Sequence, residues 1–91
     1  MGATKIRILE ALVSGQEFGY GLWKTLRKEG GITTASVYQH LAELEGGALV
    51  RRSRVTTAKG RERIYYELTR KGAEMLNRIR KSASDDGVVL V

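Results

Sequence analysis

From Thr4 to about Ser14 the apolar residues Ile6, Leu9, Leu12 and Val13 recur at helical spacing, separated by Lys5, Arg7 and Glu10. That period predicts a first amphipathic helix, with Ser14-Gly15 as its stop. A second helix is predicted from about Gly19 to Glu29, burying Tyr20, Trp23 and Leu26 or a face close to that, before Gly30-Gly31 makes a turn. Thr33 and Thr34 stand where an N-cap belongs, and a third helix follows to about Glu45. Val37, Leu41 and Leu44 give it one narrow apolar stripe, and Gly46-Gly47 supplies a terminator that needs no side chain in a left-handed conformation.

The pattern then changes period. Leu49–Val55 and Arg63–Leu68 read as strands, the second with Ile64, Tyr66 and Leu68 alternating onto one face. Residues 56–62 between them are polar, with Gly60 near the tip, so a hairpin with a long loop is expected. Thr69 caps a fourth helix predicted to reach about Lys81, with Met75, Leu76 and Ile79 available for packing. From Ser82 the chain turns small and polar through Asp86-Gly87 and closes on Val88-Val89-Leu90-Val91. A poorly ordered tail is expected there, or else an added strand or a dimer contact. The order helix, helix, helix, hairpin, helix predicts a mainly α fold with a small antiparallel β-hairpin, a winged helix-turn-helix. The domain spans residues 1–81, with a C-terminal tail over residues 82–91.

Composition narrows what such a domain does. A chain of 91 residues suits one domain with a modest core, to which oligomerisation would add stability. It has no Cys, which excludes disulfides and thiolate metal sites. No apolar run approaches the roughly 18 residues of a membrane span and no signal-peptide pattern opens the chain, so a cytoplasmic, nucleoid-associated location is expected. The net charge of +6 is uneven: residues 1–50 balance five basic against five acidic side chains, while residues 51–91 set eleven against five. A localised excess of cations points to a polyanionic partner.

Catalysis has little to build on. There is a single His, and no spacing matches a phosphate loop or a metal site, so neither an enzyme nor a cofactor is expected. His40 lies beside the apolar stripe of the third helix, and Trp23 reads as packing rather than as part of an effector pocket. The hairpin carries the strongest signal. Arg51, Arg52, Arg54, Lys59, Arg61 and Arg63 fall within 13 residues, opposed by Glu62, and with Gly60 at the tip they make a wing suited to phosphates or a minor groove. On the third helix the outward residues Ala35, Ser36, Gln39, Ala42 and Glu43 are flanked by Tyr38 and His40. Gln39 can pair with an adenine edge and Ser36 with several bases, while Thr33, Thr34 and the Tyr38 hydroxyl suit phosphates. The helix lacks Lys and Arg and carries Glu43 and Glu45, so most of the affinity would come from the wing.

Three stretches resemble one family. Phe18-Gly19-Tyr20-Gly21-Leu22-Trp23-Lys24-Thr25-Leu26 is similar to the "GYELxKxL" segment of PadR-like transcriptional regulators. The run from Ala35 to Glu45 resembles their "TLYRALKRLE" recognition helix, and Gly60 to Thr69, completed by Gly72, their wing and "YYxLTxxG" entry into the next helix. The wing-to-helix signature is shared with MarR-like winged helices. The resemblance implies a dimeric, repressor-like protein that binds double-stranded DNA, with Ser36, Tyr38 and Gln39 toward the operator and Lys59 and Arg61 at the wing tip. Family members carry a longer C-terminal helical region than the one short helix expected here, and no dedicated small-molecule effector is implied. Two other readings fit the same residues: a winged-helix protein–protein interaction module, favoured by the acidic third helix, and a chromatin-like DNA-binding protein of low specificity.

Overall fold

The computed structural model describes residues 1–89. Helix α1 (Ala3–Val13) buries Ile8, Leu9 and Leu12 while Val13 faces outward. The apolar stripe is therefore rotated from the expected one, with Ile8 at its centre. A two-residue strand β1 (Glu17–Phe18), which no alternation announces, follows the turn at Gly15. Helix α2 (Gly19–Leu26) buries Leu22 and Leu26 and leads into a 3-10 turn over Arg27–Glu29. Tyr20, expected inside, is half exposed, because β1 fixes the rotation at which α2 begins. Trp23 packs against the core, and its indole N–H donates to the Ile32 carbonyl (3.0 Å), tying α2 to the segment that opens the next helix.

Helix α3 (Thr34–Gly46) starts where the threonines predict, the Thr33 hydroxyl accepting the Ser36 N–H at 3.1 Å. Its end differs from expectation. Gly46 remains helical, Gly47 has φ −86°, and Ala48 takes the left-handed conformation at φ 62°. The Ala48 N–H bonds the Glu45 carbonyl and the Leu49 N–H the Leu44 carbonyl, both at 2.9 Å, closing the last turn in a Schellman arrangement. An alanine there carries a Cβ penalty of roughly 1 kcal/mol that glycine avoids. Ala48→Gly is accordingly expected to raise stability by about 0.5–1 kcal/mol in urea unfolding, and a loss would show that the substitution frees the unfolded chain more than it relaxes this turn.

Strands β2 (Val50–Ala58) and β3 (Arg61–Leu68) pair antiparallel, and β1 adds to the other edge of β3, giving the order β1-β3-β2. The wing is longer and its loop shorter than expected. Pairing runs out to Ala58 opposite Arg61, leaving a turn at Lys59 (φ 52°) and Gly60 (φ 76°). Two positive φ values make a type I′ turn, whose twist matches that of the strands. Helix α4 (Arg70–Val89) begins at Thr69, whose hydroxyl accepts the Gly72 N–H (3.0 Å) and donates to the Ala48 carbonyl (2.6 Å). It extends past the expected end at Lys81 to Val89, so the boundary drawn at residue 82 falls inside a helix; Leu90 and Val91, part of the apolar end, lie outside the described residues. Leu76 is buried, and α1, α3 and β2 meet it in one core that includes Val37, Leu41, Leu44, Leu49, Val50 and Tyr66.

Candidate nucleic-acid interface

The α3 stripe of Val37, Leu41 and Leu44 is fully turned into the core, so the opposite side of the helix must face outward. Ala35, Tyr38, Gln39, Ala42 and Glu43 are exposed, and Thr34 and Ser36 are half-buried near the capped end. His40 is also half-buried, and its Nδ1 is enclosed without a hydrogen-bond partner among the described residues. It stands apart from the exposed Gln39 face.

The acidic residues of α3 are each held by a cation from another element. Lys5 of α1 reaches the Glu43 carboxylate at 2.7 Å, and that hydrogen bond with the Lys5 charge keeps the carboxyl below the usual carboxylate range. A lowered pKa means that this tie is intact above the ordinary Glu range and is released only under more acidic conditions, as pH falls through the folded-state value. Arg52 of β2 lies 3.2 Å from Glu45. Both carboxylates thereby present less repulsion to an approaching polyanion than the sequence implies. Beneath Arg52, burial pushes the Tyr66 hydroxyl up, so it stays a neutral phenol at neutral pH.

The wing cations do not share one face. A bulge at Ser53 separates the pairs Arg52↔Tyr66 and Arg54↔Tyr65. Because Tyr65 and Tyr66 point to opposite faces of the sheet, Arg52, which reaches Glu45 of α3, and Arg54, which lies over the Tyr65 ring, stand on opposite faces. The Ser53 hydroxyl holds the bulge by donating to the Gln16 side chain at 2.6 Å. Arg51, cross-strand from Glu67, is ion-paired with it on the face that carries Arg54. The block of arginines after Val50 is thus split, with Arg51 and Arg52 both committed to internal carboxylates.

Arg61 and Arg63 behave differently. With Phe18, Tyr20, Ile64 and Tyr38 they border a cleft of about 450 Å³ between the wing and α3, alongside Glu62. Gly19 is what lets Tyr38 lie there, since a Cβ at that position would coincide with the Tyr38 ring. Lys59 and Gly60 form the exposed tip beyond it. Residue type alone points to Tyr38, Lys59, Arg61 and Arg63 but not to Phe18 or Tyr20, the second of which apolar spacing assigns to the core. Among the described residues no group of three His, Asp or Glu is arranged to hold a metal, and no helix is long and apolar enough to cross a membrane.

Comparison with known proteins places this arrangement. Among solved structures, a PadR family transcription regulator from Clostridium difficile superposes with a TM-score of 0.83 at 23% identity, over 98% of this chain and 95% of that one. A PadR-like transcriptional regulator from Bacillus cereus gives 0.78 at 25% identity, over 94% and 85%. Bacillus subtilis PadR, solved in complex with operator DNA, gives 0.76 at 23% identity over 85% of this chain but 47% of that longer one. No curated protein matches the sequence. The family model described as "Transcriptional regulator PadR-like family" matches residues 8–78. That span reaches into all four α-helices and contains the whole wing, and the chain belongs to the PadR-like family of transcriptional regulators.

Proposed function

We propose that this chain regulates transcription, in the manner of a repressor, by equilibrium binding to double-stranded DNA, without a catalytic step. Helix α3 enters the major groove with Ser36 and Gln39 toward base edges, Thr33, Thr34 and Tyr38 contact phosphates, and the wing reaches the flanking backbone or minor groove through Lys59, Gly60, Arg61 and Arg63. The observation that carries this reading is the shared cleft: Tyr38 of α3 and Arg61 and Arg63 of the wing border one opening, so the helix and the wing form a continuous surface. The family to which the chain belongs, and the operator complex of the Bacillus subtilis PadR, support it. The ion pairs at Glu43 and Glu45 weaken the case for a protein-docking helix, since neither carboxylate is free to recruit a cationic partner.

The chain acts as a homodimer in the cytoplasm, associated with the nucleoid. Helix α4 supports this: at 1.5 Å per residue it is about 30 Å long, more than the one turn or two that Gly72, Met75, Leu76 and Ile79 need to reach the core. Two α3 helices related by a two-fold axis would then read half-sites about 34–36 Å apart.

The test is a charge-removing pair that spares the turn. Lys59→Asn with Arg61→Gln takes two cations from the wing while Asn suits the left-handed φ of position 59. Affinity for fragments selected from genomic DNA should fall about tenfold near physiological salt, with an unchanged circular dichroism spectrum. Unaltered binding would remove the wing from the interface, and failure of the native chain to retain any genomic fragment would defeat the DNA reading itself.

A further inference from the structure

Four aromatic rings and four cations make one unbroken row from β2 to the end of α2. The Arg54 guanidinium lies 4.5 Å over the Tyr65 ring, and Tyr65 is 5.4 Å from Phe18, which carries Arg63 at 4.8 Å. Phe18 stacks on Tyr20 at 6.5 Å, and Tyr20 has Lys24 at 6.0 Å and Trp23 at 5.3 Å. Arg27 closes the row 4.9 Å over Trp23. Lys24 and Arg27 come from a part of the chain with no net charge, so the row is not visible as a sequence cluster.

The row differs from the ion-paired cations of the molecule in what its charges rest on. Lys5, Arg51, Arg52, Arg70 and Arg80 each sit within 4 Å of a carboxylate. Among the described residues, Lys24, Arg27, Arg54 and Arg63 are in no ion pair and rest on rings instead. Glu17, the carboxylate beside Gly21, is turned onto the Phe18 N–H at 2.9 Å. A guanidinium laid flat on a ring is pre-oriented, and its N–H edges stay available to planar or tetrahedral oxyanions. The same stacking occupies ring faces that a splayed-out base would need, which disfavours a single-stranded nucleic acid.

We infer that this row is a second phosphate track, along which the backbone of duplex DNA continues from the wing over α2, outside the bases read by α3. The track joins the first surface directly, because Phe18, Tyr20 and Arg63 also border the cleft that holds Tyr38. It rests on the DNA-binding reading and adds to it a footprint that extends into flanking base pairs of any sequence. Lys24 and Arg27 are its far end.

The experiment is a salt titration of binding to a random-sequence duplex of about 30 base pairs, which offers phosphates whatever the operator, between about 50 and 200 mM salt. Lys24→Gln with Arg27→Gln is expected to make the slope of log affinity against log salt shallower by about two, at roughly 0.9 per phosphate, and Lys24→Gln alone by about one. Arg70→Gln, which removes a charge 95% exposed on α4, should leave the slope unchanged. An unaltered slope in the double variant, with the native chain binding normally, overturns the track and leaves the α3 and wing reading intact. An equal drop in Arg70→Gln also overturns it, since net charge would then account for the whole effect. A native chain that binds neither this duplex nor any genomic fragment defeats both readings together.

Discussion

Replacing Gly72 with Ala is expected to destabilise the protein by about 3 kcal/mol, in spite of placing a better helix former in the first turns of α4. A Cβ at position 72 would run into the Leu49 carbonyl and crowd the Leu68 side chain. The Leu49 carbonyl cannot yield, because it also accepts the Thr69 N–H at 3.1 Å at the junction of α3, β2 and α4. Next to it, the Thr69 hydroxyl is bonded both to the Ala48 carbonyl and to the Gly72 N–H. Moving α4 outward to make room would break this junction and unpack Leu76 from the core. Against that, the intrinsic gain of Ala over Gly in a helix is about 1 kcal/mol. Gly46 provides the contrast: it is helical, with open space where its Cβ would lie, so Gly46→Ala should stabilise by up to about 1 kcal/mol. Urea unfolding of both variants at a fixed protein concentration decides the matter. Equal gains from the two substitutions would mean that α4 does not approach Leu49 as closely as described.

The difference between those glycines illustrates what could be read from the chain alone. Both stand in helical segments and nothing local distinguishes them; only the distant Leu49 carbonyl does. The number and order of the long elements were legible because apolar spacing is a local signal that tertiary packing then uses. Local geometry at element ends was less so. The expected stop at Gly46-Gly47 moved on to Ala48, because the Schellman bonds are set by where Leu49 must enter the core. The expected seven-residue loop became a two-residue turn, since Lys59 accepts a left-handed φ that its residue type does not advertise. Strand β1 was not predicted, as two residues carry no period.

The candidate site was legible in its residues but not in its arrangement. Residue type identified the wing cations, yet strict alternation from Arg51 to Arg54 would have put Arg52 and Arg54 on one face. A single extra residue at Ser53 sends them to opposite faces. Glu43 and Glu45, which counted against nucleic acid in the sequence, are compensated by Lys5 and Arg52 from elements 38 residues before and seven after. Charge runs describe composition along the chain, whereas a partner meets charges after folding has paired some of them.

Leu41→Ala should cost about 3 kcal/mol, within the range of 2–5 observed when a buried Leu is truncated. Leu41 has no exposed surface and lies between Val37 and Leu44 on the narrow stripe that anchors α3. Since small domains are stable by only about 5–15 kcal/mol, the melting temperature should fall by roughly 4–8 °C for each kcal/mol lost. The same variant separates anchoring from contact. The outward face of α3, with Gln39 and Tyr38, is untouched, and no cation of the wing or of α2 is removed. Well below its melting temperature the variant should therefore keep the native salt slope on duplex DNA, unlike the wing and α2 charge variants. A shallower slope in a fully folded Leu41→Ala protein would mean that α3 tilts on its loosened stripe and draws Tyr38 out of the cleft it shares with Arg61 and Arg63. The continuity of helix and wing would then depend on core packing rather than on the fit between Tyr38 and Gly19.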